Sequence, residues 1–418
     1  MKSYYSLSET AELLSVSKKT LRRWDENGKL KSIRLPNKYR IYTPESLKEL
    51  TMGKSIFEID VIDENHYTPI KPYHVLELFA GAGGLALGLE KSGLHCTMLN
   101  EIDKWACQTL RENRPNWNVV EGDVSQVSFK EYKGKVDIVT GGFPCQSFSY
   151  AGKKLGLEDA RGTLFYEFAR AVKEVEPLIC VGENVKGLTS HDGGKTLESM
   201  IQILDELGYD VLEPKVLKAA YFNVPQKRER LFLVGVKKGC IIPFQYPLPN
   251  PEMLPLKLAL KAGELYPTDV PKSPGQSYPG RKKEIMDMIP PGGYWRDLPE
   301  DIQKEYMLKS YYLGGGKTGM ARRISWDEPC LTLTTSPAQK QTERCHPDET
   351  RPFTVREYAR IQTFPDDWKF MGSINQQYKQ IGNAVPVNLS YALGKELVRA
   401  LNNYFIREEI KERFQNSA

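Results

Sequence analysis

Hydrophobic residues recur along much of this chain in short apolar runs that alternate with amphipathic, helix-like stretches. The runs cover 75–79, 96–99, 136–140, 178–182 and 231–236, and the stretches between them include 84–91, 103–113, 163–175 and 195–207. Continuous runs this short are typical of strands that are buried on both faces. Strands that alternate with helices predict right-handed crossovers and a doubly wound, parallel α/β sheet covered by helices on both sides.

A different pattern occupies residues 1–50. It predicts helices over 9–14 and from 18 to about 27, a hairpin of 33–35 with 39–42, and a further short helix that begins at Thr43-Pro44. Ser8 and Ser17 are placed to cap the first two helices, and Gly28 stands where the second one stops. The arrangement resembles the winged helix-turn-helix of the MerR and excisionase type.

Charge also sets this module apart. The chain carries 58 Lys and Arg against 53 Asp and Glu, and residues 1–50 hold 11 of the basic and 6 of the acidic ones, so the whole net charge of +5 lies there. Such a basic concentration is typical of nucleic-acid binding, although a small docking domain with solvated lysines has the same charge. In a winged helix-turn-helix, the start of the second helix and the wing contact DNA. The residues at those positions are Lys18, Lys19, Arg22, Arg23, Arg34, Lys38 and Arg40.

Composition suggests the remaining boundaries. Residues 51–72 have the mixed polar character of a linker, and the main α/β domain begins at about residue 73. Twelve of the 27 prolines lie between 241 and 299, where periodicity fades. We therefore expect a smaller loop-rich domain over 238–375. An amphipathic stretch at 388–401 predicts that 376–418 returns to the main domain, which then consists of 73–237 and 376–418.

Several classes of protein are disfavoured. No apolar run approaches the roughly 20 residues that span a bilayer, and the first residues lack the apolar region of a signal peptide. The seven cysteines form no C-x-x-C pair, which argues against a disulfide framework and a structural zinc site. We expect a cytoplasmic protein with no membrane and no metal.

The first apolar run leads into a glycine-rich turn, Ala80 to Leu85. Glycines there let the backbone approach a cofactor and let a helix N-terminus face it. A nucleotide site for NAD or flavin, or a plain structural turn, would look similar. Glu101 and Asp123 follow the next two crossovers, where they can bind ribose hydroxyls and an adenine amino group. Two such carboxylates favour an adenosyl ligand without phosphates.

The candidate catalytic residues follow the apolar runs 136–140 and 178–182. Gly141 to Ser149 reads Gly-Gly-Phe-Pro-Cys-Gln-Ser-Phe-Ser. Its glycines and proline should present Cys145 at the carboxyl edge of the sheet, where ligands collect. Glu183 follows 178–182 and should share that edge. None of the five histidines lies in these segments, so a Cys-His protease has little support. A thiol and a carboxyl group at one site are suited to a different reaction, in which the thiol attacks an electron-poor ring while the acid holds a ring nitrogen.

Taken together and in their order along the chain, several segments resemble the motifs of the DNA cytosine-C5 methyltransferases. They are residues 76–90, 100–103, 141–149, 161–165, 183–185, 224–235, 351–368 and 376–386, and the likeness runs from about 75 to 400. The resemblance implies a Rossmann-like fold that uses S-adenosyl-L-methionine and yields S-adenosyl-L-homocysteine. It also implies that 238–375 is a target-recognition domain.

The family's mechanism assigns roles to particular residues. Cys145 would add to C6 of a cytosine flipped out of duplex DNA, while Glu183 holds N3, so that C5 takes the methyl group. Arg230 would lie on the cytosine O2 side, and Arg228 would be oriented towards the backbone. The implied cofactor pocket comprises Phe79, Gly81, Gly83, Leu85, Glu101, Ile102, Asp123, Pro144 and Asn383, and the implied DNA contacts are Gln146, Ser149 and Gln226.

Alternatives remain at this stage. A tRNA cytosine-5 methyltransferase would share the chemistry, although the long insert after Gln226 favours duplex DNA, and the winged module raises a primarily transcriptional regulator. An amino-directed methyltransferase is disfavoured because the chain has no D/N/S-P-P-aromatic tetrapeptide. The expected partners are double-stranded DNA and a separate restriction endonuclease. We expect catalysis by a nucleoid-associated monomer that protects host DNA and regulates its own transcription.

Overall fold

The computed structural model describes residues 4–14, 16–34, 39–50, 67–144 and 163–416. The strands are β1 Tyr5–Ser6, β2 Ile33–Arg34, β3 Arg40–Tyr42, β4 His74–Leu78, β5 His95–Glu101, β6 Val119–Glu121, β7 Ile138–Gly141, β8 Ile179–Val185, β9 Tyr209–Val211, β10 Lys215–Lys218, β11 Gln226–Lys227, β12 Glu229–Lys237 and β13 Cys330–Leu331. The α-helices are α1 Leu7–Leu13, α2 Lys18–Glu26, α3 Pro44–Lys48, α4 Gly84–Lys91, α5 Lys104–Asn113, α6 Leu164–Val175, α7 Lys195–Glu206, α8 Lys257–Leu260, α9 Gly280–Asp287, α10 Glu300–Met307, α11 Val355–Ile361, α12 Ile374–Asn383 and α13 Val387–Asn416.

An eight-stranded sheet forms the centre of the molecule. Its strand order is β10-β12-β8-β7-β4-β5-β6, with β9 paired to β12. The strands β6, β5, β4, β7 and β8 are parallel. The chain moves outward from β4 in one direction to reach β6 and then restarts on the other side of β4 with β7. The carboxyl ends of β4 and β7 therefore flank a topological switch point, where open α/β sheets bind ligands.

The sheet is mixed rather than wholly parallel, which corrects the sequence-based expectation for the run 231–236. That run lies in β12, which is antiparallel to β8. The short strands β9 and β10 also pair with β12 in antiparallel fashion. A helical crossover does not separate β10 from β12, so the chain reverses direction through the brief segment 219–228. Apolar runs of either direction look alike in a sequence because both are buried on two faces.

Residues that alternate along the strands enter two hydrophobic cores, one on each face of the sheet. Val75, Ile138 and Val181 pack on one face with α4 and α13. Leu76, Val139 and Cys180 pack on the other face with α6 and α7. This period-two alternation is the direct consequence of pleated backbone geometry, and it gives the sheet the two helical layers that the pattern predicted.

The N-terminal residues form the predicted winged module. A three-stranded antiparallel sheet of order β1-β3-β2 contains the hairpin of β2 with β3. Ser17 caps α2 by accepting a hydrogen bond from the Thr20 N–H, as expected. Ser8 lies inside α1 instead of capping it. Ser6 has that position, because its hydroxyl and the Glu9 carboxylate exchange hydrogen bonds with each other's backbone N–H groups.

Hydrophobic residues of 238–375 fall into three clusters, one of which joins Ile242 and Phe244 to the core on one face of the main sheet. Another cluster is confined to this region and includes Tyr278, Trp295, Met307 and Cys345. Residues around α8 and α11 instead pack with the main domain in a third cluster that also contains Ala86 and Leu110. The sequence-based boundaries of this domain stay a prediction. In the described ranges, no helix combines the length and apolarity that crossing a membrane requires.

Helices α4 and α13 meet at a glycine. A Cβ atom built on Gly88 would lie 2.3 Å from the Ser390 Cβ and 2.5 Å from the Val387 carbonyl oxygen. Both neighbours belong to α13, so the absence of a side chain at residue 88 sets how closely the two helices approach.

We expect Gly88→Ala to lower the free energy of unfolding by about 1–3 kcal/mol, because the added methyl group overpacks this contact. Urea denaturation would measure the change. Gly280→Ala is the matched control, since a Cβ at the first residue of α9 has no atom within 4 Å. Equal stabilities of the two variants would contradict the proposed packing constraint.

Candidate active site

A cavity of about 860 Å³ opens at the switch point between β4 and β7. It is lined along its length by predicted site residues from several strand ends: Phe79, Gly81, Leu85, Glu101, Ile102, Asp123, Pro144, Glu183, Arg228, Arg230 and Asn383. The volume lies within the range of small-molecule and cofactor sites. The fold therefore brings the two carboxylates of the predicted cofactor end and the charged pair of the predicted catalytic end into one space.

The glycine turn after β4 forms one wall. Gly81 has φ of 55° and Gly83, the N-cap of α4, has φ of 84°, a left-handed region that favours glycine. Gly83 is not among the residues that line this cavity, although both of its neighbours are, and its assignment to the cofactor pocket stays a prediction. A Cβ on Gly83 would instead meet Leu110 at 2.7 Å and Trp368 at 3.1 Å, so this glycine permits close packing behind the turn.

Glu101 shapes the turn directly. Its Oε2 accepts a hydrogen bond of 2.7 Å from the Gly81 N–H, and its Oε1 accepts bonds of 2.8 Å from the N–H groups of Ile102 and Asp103. The carboxylate is buried at the end of β5 but still lines the cavity. Farther along, Asp123 is exposed, and hydrogen bonding from the Ser125 N–H lowers the pKa of its carboxyl.

The lining of the cavity also contains an ion pair. Arg230 Nε lies 2.7 Å from Glu183 Oε1, and both side chains are about nine-tenths buried. Their strands are adjacent, with Arg230 of β12 opposite Val185 of β8. Burial raises the pKa of Glu183 despite the attraction of Arg230, and burial lowers the pKa of Arg230. A carboxyl group with a raised pKa is suited to holding a proton for a bound base.

Arg228 is surrounded by main-chain carbonyl groups of the protein. Its guanidinium is buried and donates to the carbonyl oxygens of Leu333, Gly382 and Asn383 at 3.1, 2.9 and 3.3 Å. Its donors therefore face main-chain carbonyl groups of the protein itself, and a catalytic role for Arg228 stays a prediction. Arg228 thereby joins β12 to two distant segments that also line the cavity.

Gln226 likewise points into the protein, which corrects its assignment to DNA contact. Its side chain has no exposed surface. The amide nitrogen donates to Gln362 Oε1 at 2.8 Å, and the amide oxygen accepts from the Leu333 N–H at 2.9 Å. Both ends of the amide are therefore used to hold β11 against the domain that follows.

Asn184 was missed by the sequence-based reasoning. Its Nδ2 donates to the Phe143 carbonyl oxygen at 2.8 Å, and its Oδ1 accepts from the Val185 N–H. This side chain therefore fixes the backbone just before Cys145. Cys145, Gln146 and Ser149 lie outside the described residues, but Pro144 lines the cavity. The position of Asn184 directly after Glu183 was the available signal.

Glu77 was also missed, although it stands just before the glycine turn. It lies on β4, is 2% exposed and lines the cavity, and its Oε2 has no hydrogen-bond partner among the residues that the structure describes. Burial, with the nearby negative charges of Glu183 and Glu101, raises the pKa of Glu77 to about 8. A buried carboxyl group that lines a cavity and has an oxygen without a partner in the described residues indicates a polar ligand.

The predicted DNA-contacting residues of the winged module are mostly accessible. Lys18, Lys19, Arg22 and Arg23 are exposed on α2, and Arg34 is exposed on β2. Arg40 is partly buried because its Nε lies 2.7 Å from Asp25 Oδ2. Lys38 lies outside the described residues. The module therefore presents four exposed basic residues on α2, whose first turn contains no acidic residue.

A doubly wound sheet with a cavity at its switch point, lined by both apolar and charged side chains, defines an α/β protein with a candidate ligand site. Residues 73–399 match the family C-5 cytosine-specific DNA methylase, so the chain belongs to that family and is a DNA (cytosine-5) methyltransferase. Residues 6–42 match the MerR family of regulatory proteins, which supports the helix-turn-helix module.

Similar proteins span nearly the whole chain. The type II methyltransferase M.Eco47II of Escherichia coli is 63% identical over 96% of this chain and 97% of its own length. M.PspPI of Psychrobacter sp. (strain TA137), also a type II methyltransferase, is 58% identical over the same two shares. A solved prophage-encoded protein from E. coli, provisionally described as a DNA modification methyltransferase, is 26% identical. It has a TM-score of 0.55 and covers 79% of this chain and 99% of its own.

The raised pKa of Glu77 predicts a pH-dependent contribution to stability. Between about 4.5 and about 8 the folded protein holds a proton that the unfolded chain releases, so the free energy of unfolding should fall as pH rises. The fall should amount to at most about 1.4 kcal/mol per pH unit. We expect Glu77→Gln to remove it, because the amide does not titrate. Denaturation of both proteins from pH 5 to 8 measures it. A difference between them that does not change with pH would refute the prediction.

Proposed function

We propose that the protein transfers a methyl group from S-adenosyl-L-methionine to C5 of a flipped-out cytosine in duplex DNA, through a covalent Cys145–C6 intermediate. One observation carries the proposal: a single cavity is lined by Glu101 and Asp123 and also by Glu183 and Arg230. A methyl donor held by the first pair and a base held by the second would share one space, which Pro144, the residue before Cys145, also lines.

The residues present fit such a cofactor. Glu101 and Asp123 offer carboxylate oxygens for ribose hydroxyls and an adenine amino group, and Ile102, 70% exposed, offers an apolar surface for the adenine ring. The orphaned Glu77 Oε2 offers a further acceptor near the glycine turn. When bound, S-adenosyl-L-methionine supplies an electrophilic methyl group. Phe79, Gly81, Leu85, Pro144 and Asn383 complete the pocket.

The catalytic end suits covalent activation of cytosine. The Cys145 thiolate forms a bond to C6 while Glu183 gives a proton or a hydrogen bond to N3, which makes C5 nucleophilic. C5 then takes the methyl group, and loss of the C5 proton with elimination of the Cys145 sulfur restores the ring. Arg230 orients Glu183 through their 2.7 Å contact, and we assign it to the O2 side of the base. Arg228 acts as a positioning residue.

The wider biological role is proposed from the relatives. Type II methyltransferases at 63% and 58% identity favour protection of host DNA in a restriction-modification system with a separate endonuclease. We propose a monomer for catalysis, built from 73–237 and 376–418, with 238–375 as the target-recognition domain. Neither a tRNA substrate nor a purely regulatory role gains support from these relatives.

The winged module supports an additional regulatory function. Its exposed basic residues on α2 are arranged for phosphate and groove contacts, and α2 begins at a capped N-terminus. The module also touches the region 238–375, where the Tyr5 hydroxyl donates to the Pro251 carbonyl oxygen at 3.0 Å. We propose that it binds operator DNA near its own gene while the catalytic domain remains competent.

Replacing the nucleophile gives the direct test of the mechanism. Cys145→Ala should reduce tritiated methyl transfer by at least about 10³-fold while cofactor affinity stays within a few fold, because the thiol forms a bond in the reaction only. Wild-type protein should form a stable adduct with duplexes that contain 5-fluorocytosine. Cys240→Ala, which removes a cysteine that does not line the cavity, is the control. Turnover by the Cys145 variant would disprove the mechanism.

A second experiment tests the regulatory module within the full chain. Joint replacement of Arg22 and Arg23 by alanine should weaken binding to the upstream promoter DNA. In a plot of the logarithm of the binding constant against the logarithm of the salt concentration, the magnitude of the slope should fall by roughly one for each phosphate that the variant no longer neutralises. Methylation should be retained. Joint alanine replacement of Lys130 and Lys135, both exposed on the catalytic domain, controls for general charge. Unchanged promoter binding by the first pair would argue against the proposal.

A further inference from the structure

Residues 308–317, here called the apolar loop, expose large hydrophobic side chains within the proposed target-recognition domain. Leu308, Tyr312 and Leu313 are 64%, 78% and 65% exposed. From 306 to 326 the chain contains four Lys and Arg and no Asp or Glu, and three of the four basic residues, all but Arg323, are at least partly exposed. Exposed apolar groups in a cationic setting fit a partner that is anionic and has stackable faces, and duplex DNA is such a partner.

A buried carboxylate holds both ends of this loop. Glu343 is fully buried, and its Oε2 accepts hydrogen bonds from the Tyr306 hydroxyl at 2.5 Å and the Ala321 N–H at 2.7 Å. Its own N–H donates to the Gly319 carbonyl oxygen at 3.0 Å. Glu343 thus contacts the chain just before the apolar loop and just after it.

Lys282 completes this arrangement. Its ammonium group contacts the other carboxylate oxygen, Glu343 Oε1, and also donates to the Ala338 carbonyl oxygen at 2.9 Å. Burial raises the pKa of Glu343 and the ammonium opposes that rise. A buried charge that loses its partner is costly, so the pair depends on both members.

The next residue connects the loop to the cavity. Arg344 donates through Nη2 and Nε to the Thr332 carbonyl oxygen at 2.6 and 3.1 Å. Thr332 and Leu333 line the cavity. Two consecutive side chains, Glu343 and Arg344, therefore fix the apolar loop and the cavity wall relative to each other.

We propose that Glu343, with Lys282 and Tyr306, is a positioning residue that holds the apolar loop for contact with the duplex beside the flipped cytosine. The proposal rests on the proposed function, in which 238–375 recognises the target DNA. A loop whose ends are fixed in advance loses less conformational freedom on binding, so the arrangement strengthens DNA binding without touching the reacting atoms.

Steady-state kinetics of the full chain on a cognate duplex tests the idea. In Glu343→Gln an amide N–H faces the Lys282 ammonium, so we expect KM for DNA to rise about tenfold while kcat and cofactor affinity stay within about twofold. The double variant Lys282→Met/Glu343→Gln removes the opposed donors but keeps an oxygen for Tyr306 and Ala321. Its KM should return to within about threefold of the wild-type value. Should Glu343→Gln fail to fold, Tyr306→Phe, with a smaller rise in KM, replaces it.

A double-mutant cycle shows whether Glu343 acts through the loop. In a Tyr312→Ala/Leu313→Ala background, whose own KM should be raised, Glu343→Gln should add less than about a twofold further effect. Fully multiplicative effects, or loop variants with unchanged KM and unchanged site preference, would overturn this proposal. Ile241→Ala, which removes another exposed hydrophobic side chain, should leave KM unaltered. Failure of the wild-type protein to methylate cytosine C5 would instead defeat the proposed function.

Discussion

The guanidinium group of Arg228 determines how the active site is enclosed. It is fully buried and donates to carbonyl groups of Leu333 and of Gly382 and Asn383, which belong to chain segments more than 100 residues away. Carbonyl oxygens buried without a donor would be costly, and so would an unpaired guanidinium. Each side therefore requires the other, and the cavity wall made by residues 332–333 and 382–385 is held against β12 as one unit.

Topology supplies the remaining constraint. Because the chain restarts beside β4 after reaching the edge of the sheet, the ends of β4, β5, β7 and β8 converge on one opening. Glu101, Pro144 and Glu183 reach the same cavity only for that reason. The antiparallel β12 then places Arg230 next to Glu183, so a strand that breaks the parallel pattern provides the counter-charge of the proposed catalytic acid.

Much of the local structure could be predicted. Helix α4 has the predicted bounds, Ser17 caps α2, and the residues of the Glu-Asn-Val segment emerge at the end of a buried strand. These features depend on neighbouring residues through capping and periodicity. Gln226 was misassigned because a motif shows which residue types recur but not which way a side chain points. Glu77 was overlooked because nothing in the sequence shows whether a single acidic residue in an apolar run faces solvent or a buried cavity.

The sequence by itself determined the alternating α/β pattern, the basic winged module and the segments that bear the chemistry, because each of these is written in short-range spacing and charge. Only the tertiary structure decided the direction of β12, the pairing of Glu183 with Arg230, the inward orientation of Arg228 and Gln226, and the anchoring of the apolar loop by Glu343. Those outcomes depend on contacts between residues far apart in the chain, where burial selects among partners that the linear order leaves equivalent.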